Sequence, residues 1–156
     1  MRQRIWTEAD FDSMSWHDNH VHALRLVEGA DGTGDLILDV DHIVEWLSAP
    51  DHGFRFRILP VTLTFHGVFF LHMSLDYATP TAAFGPFMIH GIERRLEQRE
   101  RCAAQLWKID ISWPQGQLEF EARGFTQRGF GEPILSEGQS LTPQQRSRGR
   151  SARIDR

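Results

Sequence analysis

The chain has a single cysteine, Cys102, in 156 residues. That excludes an intrachain disulfide framework and any zinc site built from several thiolates. No apolar run approaches the roughly 18 residues of a membrane-spanning helix. The opening, Met1-Arg-Gln-Arg-Ile-Trp-Thr-Glu-Ala-Asp, holds no apolar core ahead of its acids. No secretory signal peptide is therefore expected, and a cytoplasmic protein is. There is no Gly-x-Ser-x-Gly elbow, phosphate loop, dinucleotide fingerprint or internal repeat. Gly29, Gly32 and Gly34 lie between two strand-like stretches, not ahead of a helix, and read as a hairpin loop. Cys102 has Arg101 beside it to favour the thiolate but no histidine near in sequence, so nucleophilic catalysis lacks a base.

What is present describes a globular β protein. The length suits one domain, and 40% apolar with 24% charged residues is an ordinary composition for a packed chain. Charge is uneven. The formal net charge is −4, yet Pro143 to Arg156 hold five arginines and one aspartate; without that +4 segment, residues 1–142 stand at −8. An acidic body does not suit nucleic-acid binding, whose contact face is basic. Residues 1–130 are expected to form a single β-rich domain. Residues 131–156, rich in Gln, Ser, Gly and Arg towards their end, read as a flexible basic C-terminal tail.

A periodicity of two dominates. His20–Glu28 and Asp35–Asp41 form two arms of an antiparallel hairpin, and Ile43–Leu47 extends the second arm or makes a helical turn. Ala49–Gly53 is a loop. Phe54–Ile58 and Val61–Phe65 alternate, with Pro60 interrupting them or marking an edge. Phe69, Leu71, Met73, Leu75 and Tyr77 carry an apolar face on past Gly67. After a connection over 78–86 comes the strand Phe87–Ile92, then a charged stretch, Glu93–Gln105, read as a hairpin tip with some helical character. Trp107, Ile109, Ile111 and Trp113 face one way and Lys108, Asp110 and Ser112 the other; Leu118, Phe120 and Ala122 repeat the pattern past the turn Trp113-Pro-Gln-Gly116. The fold class is mainly β, or β-rich α+β: an antiparallel sandwich or partly closed barrel of about eight strands with one or two short helices.

The densest chemistry lies in Ser15-Trp-His-Asp-Asn-His-Val-His22. His20 and His22 share a strand face, His17 and Asp18 precede them, and the far arm of the hairpin offers Asp39 and Asp41, again two apart. These six residues are the candidate ligands of a divalent metal, which with an open position would activate water. The same residues also fit a structural reading. His20 and His22 share their face with Leu24 and Leu26, Asp18 and Asn19 suit a turn, and Asp39 and Asp41 suit a wetted face. His42, His52, His66, His72 and His90 are isolated, and together predict sensitivity to pH near 6–7. Most aromatic residues fall on strand faces and belong to the core. Trp6, Trp16 and Trp46 lie outside the clearest strands and are the candidate contact residues.

The strings Ser15-Trp-His-Asp-x-x-Val-His22, Asp39-Val-Asp-His-Ile-Val-Glu-Trp46 and Pro60-Val-Thr-Leu-Thr-Phe-His66 resemble those of a family of uncharacterised bacterial proteins. So do Trp107-x-Ile-x-Ile-x-Trp-Pro-x-Gly116 and Gly124-Phe-Thr-Gln127. The resemblance spans residues 13–127, leaves out the basic tail, and brings no established activity. Small, acidic, mainly β bacterial proteins include immunity proteins, an analogy of general kind only. Three functions are expected from these features. The first is a non-catalytic domain that binds another protein through an acidic, aromatic-containing sheet surface, with a homodimer also open to it. The second is a metal-dependent hydrolase using His17–His22 with Asp39 and Asp41. The third is non-specific nucleic-acid binding through the arginines of the tail.

Overall fold

A computed structural model describes residues 4–51 and 53–151. Among these, nine strands form one antiparallel sheet: β1 Arg4–Thr7, β2 His20–Glu28, β3 Gly34–Ser48, β4 Phe54–Leu75, β5 Phe87–Gln98, β6 Ala103–Trp113, β7 Gly116–Glu121, β8 Gly124–Gly129 and β9 Ile134–Ser136. Two short helices complete it, a 3₁₀ helix over Glu8–Ser13 and α1 over Pro143–Ser151. Among the described residues no helix is long and apolar enough to cross a membrane.

β4 organises the sheet. One edge pairs with β3 from Phe54 to Val68; the other meets β9, β8 and β7 in succession. Its second half, held by β7, bends the sheet into a ring that runs β4, β7, β6, β5, β2, β3 and back to β4. The ring stays incomplete, because β2 and β5 meet only at His20 opposite Met88 and Val21 opposite Phe87. The structure is therefore a partly ringed sheet and not a barrel.

Alternation explains the core. Leu36, Leu38 and Val40 on β3, Val61, Leu63 and Phe65 on β4, and Trp107 and Ile109 on β6 point inward, where they pack with Ile89, Leu118 and Phe125. Burying each such side chain contributes about 1.5–3 kcal/mol. The 3₁₀ helix starts with a capping box between Thr7 and Asp10 and lays Phe11 edge-on against Trp107. Arg94 stands over the Phe11 ring, 4.8 Å from its centroid, which satisfies a cation beside the core.

Three sequence expectations change, and one left open between two alternatives is decided. Pro60 neither interrupts nor ends β4: its carbonyl accepts the Phe130 N–H where β8 has stopped and β9 has not begun, so no ladder bond is lost to the missing donor. Ile43–Leu47 continues β3 as strand. Glu93–Gln105 has no helical character; β5 and β6 run through it and turn near residues 99–102, since cross-strand pairing overrides the helix preference of its Glu, Arg and Gln residues. The boundary at residue 130 also moves. β9 pairs with Phe56–Ile58, Leu141 is buried against Ile43, Phe56 and Ile58, and α1 reaches Asp41 through Arg146. Residues 131–148 form a strap across the outer face of β3 and β4, where apolar Ile43 and Ile58 would otherwise face water. The last five residues of the tail, 152–156, lie outside the described residues, as does His52.

Candidate functional site

The register of the β2–β3 hairpin places His20 opposite Asp41. A bulge between Val21 and Ala23 makes His22 the extra residue, and Asp39 then falls opposite Ala23. His20 and the two aspartates thus lie on one side of the hairpin, as a metal site requires. Their oxygens are otherwise engaged. Asp39 accepts from Arg25 Nη1 at 2.8 Å and from Thr62 Oγ1 at 3.0 Å. Asp41 is fully buried and accepts from Arg146 Nε at 2.9 Å and Nη2 at 2.7 Å, and from the Leu141 N–H at 2.9 Å. His22 Nε2 lies 3.8 Å from the same carboxylate.

Asp18, with φ of +62°, accepts from Gln139 Nε2 at 2.9 Å and sits 3.5 Å from His17 Nε2. The His17 ring turns away to the His90 carbonyl, 3.0 Å from its Nδ1. Burial lowers the pKa of His20, against the opposing pull of Asp41 and Asp18. Its buried Nδ1 has no hydrogen-bond partner among the described residues. No three His, Cys, Asp or Glu side chains converge among the described residues in a way that could hold a metal ion. Asp39 and Asp41, the carboxylates of the expected metal site, are bonded to Arg25 and Arg146. The cluster is a latch that fastens the C-terminal strap.

The tryptophans separate. Trp16 is core: it is 3% exposed and donates from Nε1 to Gln127 Oε1 at 2.8 Å, which corrects its reading as a contact residue. It sits before β2, packed against Phe11 a few residues back and against the distant Phe125. Trp6 is half-buried with its ring edge-on to His42. Of these three candidates Trp46 is the exposed one, at 43%, beside Phe54 and Phe56. His42, passed over in the sequence, is buried. Asn19 Nδ2 donates to its Nδ1 at 2.7 Å, and burial pushes its pKa down to about 4.

A different feature stands out on the surface. Beyond Val21, β2 pairs with β3 alone, so from Ala23 to Glu28 its outer edge is open among the described residues. β4 is open likewise from Phe69 to Leu75 on the side away from β7, since β3 starts only at Gly34 opposite Val68. The two open edges face each other across a slot. At one end a hollow of about 540 Å³ lies between Ala23 and Leu24 and, across from them, Met73, Leu75 and Tyr77. At the other, a hollow of about 430 Å³ lies between Leu26 and Val27 and, across from them, Phe69 and Leu71. β2 and β4 therefore run in opposite senses along the slot.

The slot is rimmed by apolar side chains held in water. Leu26 is 59% exposed and Phe84 95%; Phe70, 75% exposed, stands at the bend of β4 over a separate hollow lined by Arg94, Trp107 and Glu121. Phe70 has φ of +53°, a left-handed conformation that a bulky residue adopts at a cost of about 1–3 kcal/mol. It lies at the β4 bulge between Phe69 and His72, which turns both phenyl rings outward, 4.8 Å apart. Phe84 leans on Tyr77, whose hydroxyl donates to the Gly85 carbonyl at 2.8 Å and fixes the loop over the slot. Sequence reasoning found the Phe69–Tyr77 strand but took its apolar side for core. Lateral pairing, which leaves this length open, is absent from any local pattern.

No protein-family model, curated protein or solved structure matches the chain.

Proposed function

We propose that the chain is a non-catalytic protein-interaction domain of the bacterial cytoplasm, with its contact surface along the exposed second half of β4, from Phe70 to the slot between β2 and β4. The observation that carries the reading is Phe70, bulky, three-quarters exposed and held in left-handed backbone beside Phe69. Strained exposed aromatics of this kind persist where a partner covers them. The −8 of residues 1–142 favours a basic partner and an association that weakens with salt. Neutralisation of a basic toxin, as immunity proteins do, is the specific form of this reading. The metal-hydrolase alternative has no such support, because Arg146 and Arg25 hold the carboxylates it would use.

The test compares immobilised wild type with a Phe70→Asp/Phe84→Asp variant in native lysate at low and high salt. Aspartate tolerates the left-handed region better than phenylalanine, so the variant keeps its fold. A protein retained by wild type, released by salt and lost with the variant supports the reading. Nothing retained at low salt, or equal retention by both, overturns it.

A further inference from the structure

An edge strand is a template for another strand, and folded proteins blunt it with charge, proline or a covering loop. β2 has no proline between Ala23 and Glu28, and the loop that carries Phe84 and Gly85 shares a hollow with it only at the Ala23–Leu24 end. Its one cation there, Arg25, is drawn to Asp39, and Leu26 and Val27 are left exposed. The facing edge of β4 carries Phe69 and Met73, also exposed. A retained apolar edge, with a second apolar wall opposite it, is the surface that recognition by strand addition uses: main-chain hydrogen bonds give affinity and side-chain hollows give selectivity.

We infer that the slot takes an extended segment of the partner protein as an added strand on the open edge of β2. The inference rests on the protein-interaction reading and names its mode. The segment runs antiparallel to β2, continuing the line along which β5 meets Val21. Along β2 one hollow is lined by Val21–Leu24 and the other by Leu26–Glu28, so they lie roughly four residues apart. At about 3.3 Å per residue this spacing matches side chains i and i+4 of a strand, which point to one face. The segment therefore carries large apolar residues four apart. Its N-terminal end lies beside Glu28, Asp31 and Asp35, an acidic group at the hairpin tip. A basic residue belongs at that end of the segment.

The probe is the capped peptide Lys-Thr-Leu-Thr-Val-Thr-Phe-Thr, with leucine and phenylalanine four apart, titrated into the full chain and followed by amide NMR and hydrogen exchange. Two control peptides accompany it. One has proline in place of the two threonines that flank valine, which removes main-chain donors. The other has its phenylalanine moved one place, which turns it to the opposite face. The expected result is saturable binding, with shifts and slowed exchange confined to Ala23–Glu28 and Phe69–Leu75. Affinity falls at least about tenfold for either control, a loss of roughly 1.4 kcal/mol. It falls as much for wild-type peptide on Leu26→Lys/Val27→Lys or on Met73→Lys, all substitutions of exposed residues that leave the melting temperature within about 2 °C of wild type.

Absence of binding, shifts elsewhere on the surface, or equal affinity for the proline control overturns the inference. If the lysate protein is lost with Phe70→Asp/Phe84→Asp but kept by Leu26→Lys/Val27→Lys, strand addition is refuted while the protein-interaction reading stands. If wild type retains nothing from lysate, that reading falls whatever the peptide does.

Discussion

Replacing Asp41 with asparagine tests whether the strap is fastened by charge. Asp41 takes two bonds from Arg146 and one from the Leu141 amide, and the Arg146 side chain is itself only 12% exposed. Removing one partner of a buried pair leaves the other desolvated without compensation, at a cost of about 3–5 kcal/mol. The asparagine side chain keeps the shape and one acceptor, so the lower figure of about 3 kcal/mol applies to Asp41→Asn. For a chain of this length that lowers the melting temperature by about 6–12 °C. Where the strap opens alone, the same energy raises its open population roughly a hundredfold. Exchange of the Leu141 amide reads the opening directly. Arg146→Gln and the double variant complete a cycle, with coupling of about 1–3 kcal/mol expected between residues in direct contact. A melting temperature within about 2 °C of wild type, with Leu141 exchange unchanged, would refute the latch.

His42 gives a pH prediction whose sign is set by burial. Its folded pKa of about 4 lies below the ordinary 6.5, so the unfolded chain binds the proton more readily. The stability from keeping His42 neutral is complete above pH 6.5 and is lost as pH falls towards 4, a change of roughly 3 kcal/mol. Urea midpoints measured from pH 7.5 to 4.5 should fall more steeply for wild type than for His42→Gln; parallel curves would contradict this. Trp16→Ala should cost about 3–5 kcal/mol, as truncation of a packed tryptophan does, whereas Trp46→Ala should cost under about 1 kcal/mol. Equal costs in denaturant melts would contradict the assignment of Trp16 to the core and Trp46 to the surface.

What could be read from the residues was whatever local alternation controls. Trp107 to Ile111 and Leu118 to Phe120 show their inward and outward faces because one side of that sheet is wetted and period two survives; it fails at Trp113, which is exposed, and at Glu121, which is buried. The His20–Glu28 and Asp35–Asp41 hairpin was legible for the same reason, together with its glycine turn. β3 hid more. Leu36, Leu38 and Val40 face the core while Asp39 and Asp41 are buried on the other side, so polarity no longer marks exposure. The strap that bonds to Asp41 comes from a hundred residues on in sequence, and no periodicity within β3 announces it.

Trp16 was misplaced, and the burial of His42 went unread, for a related reason. Their cover comes from Gln127, Phe125 and Asn19, contacts set by the path of the chain and not by neighbours in sequence. The slot depends on the tertiary structure most of all. Alternation specifies which residues point inward, but says nothing of which backbone edge finds a partner. That is settled by where β3 begins, where β5 meets β2, and how far β4 runs beyond both. The sequence by itself determined an antiparallel β protein with an acidic body. Long-range register decided which of its polar groups are spent on one another and which apolar edge is left facing water.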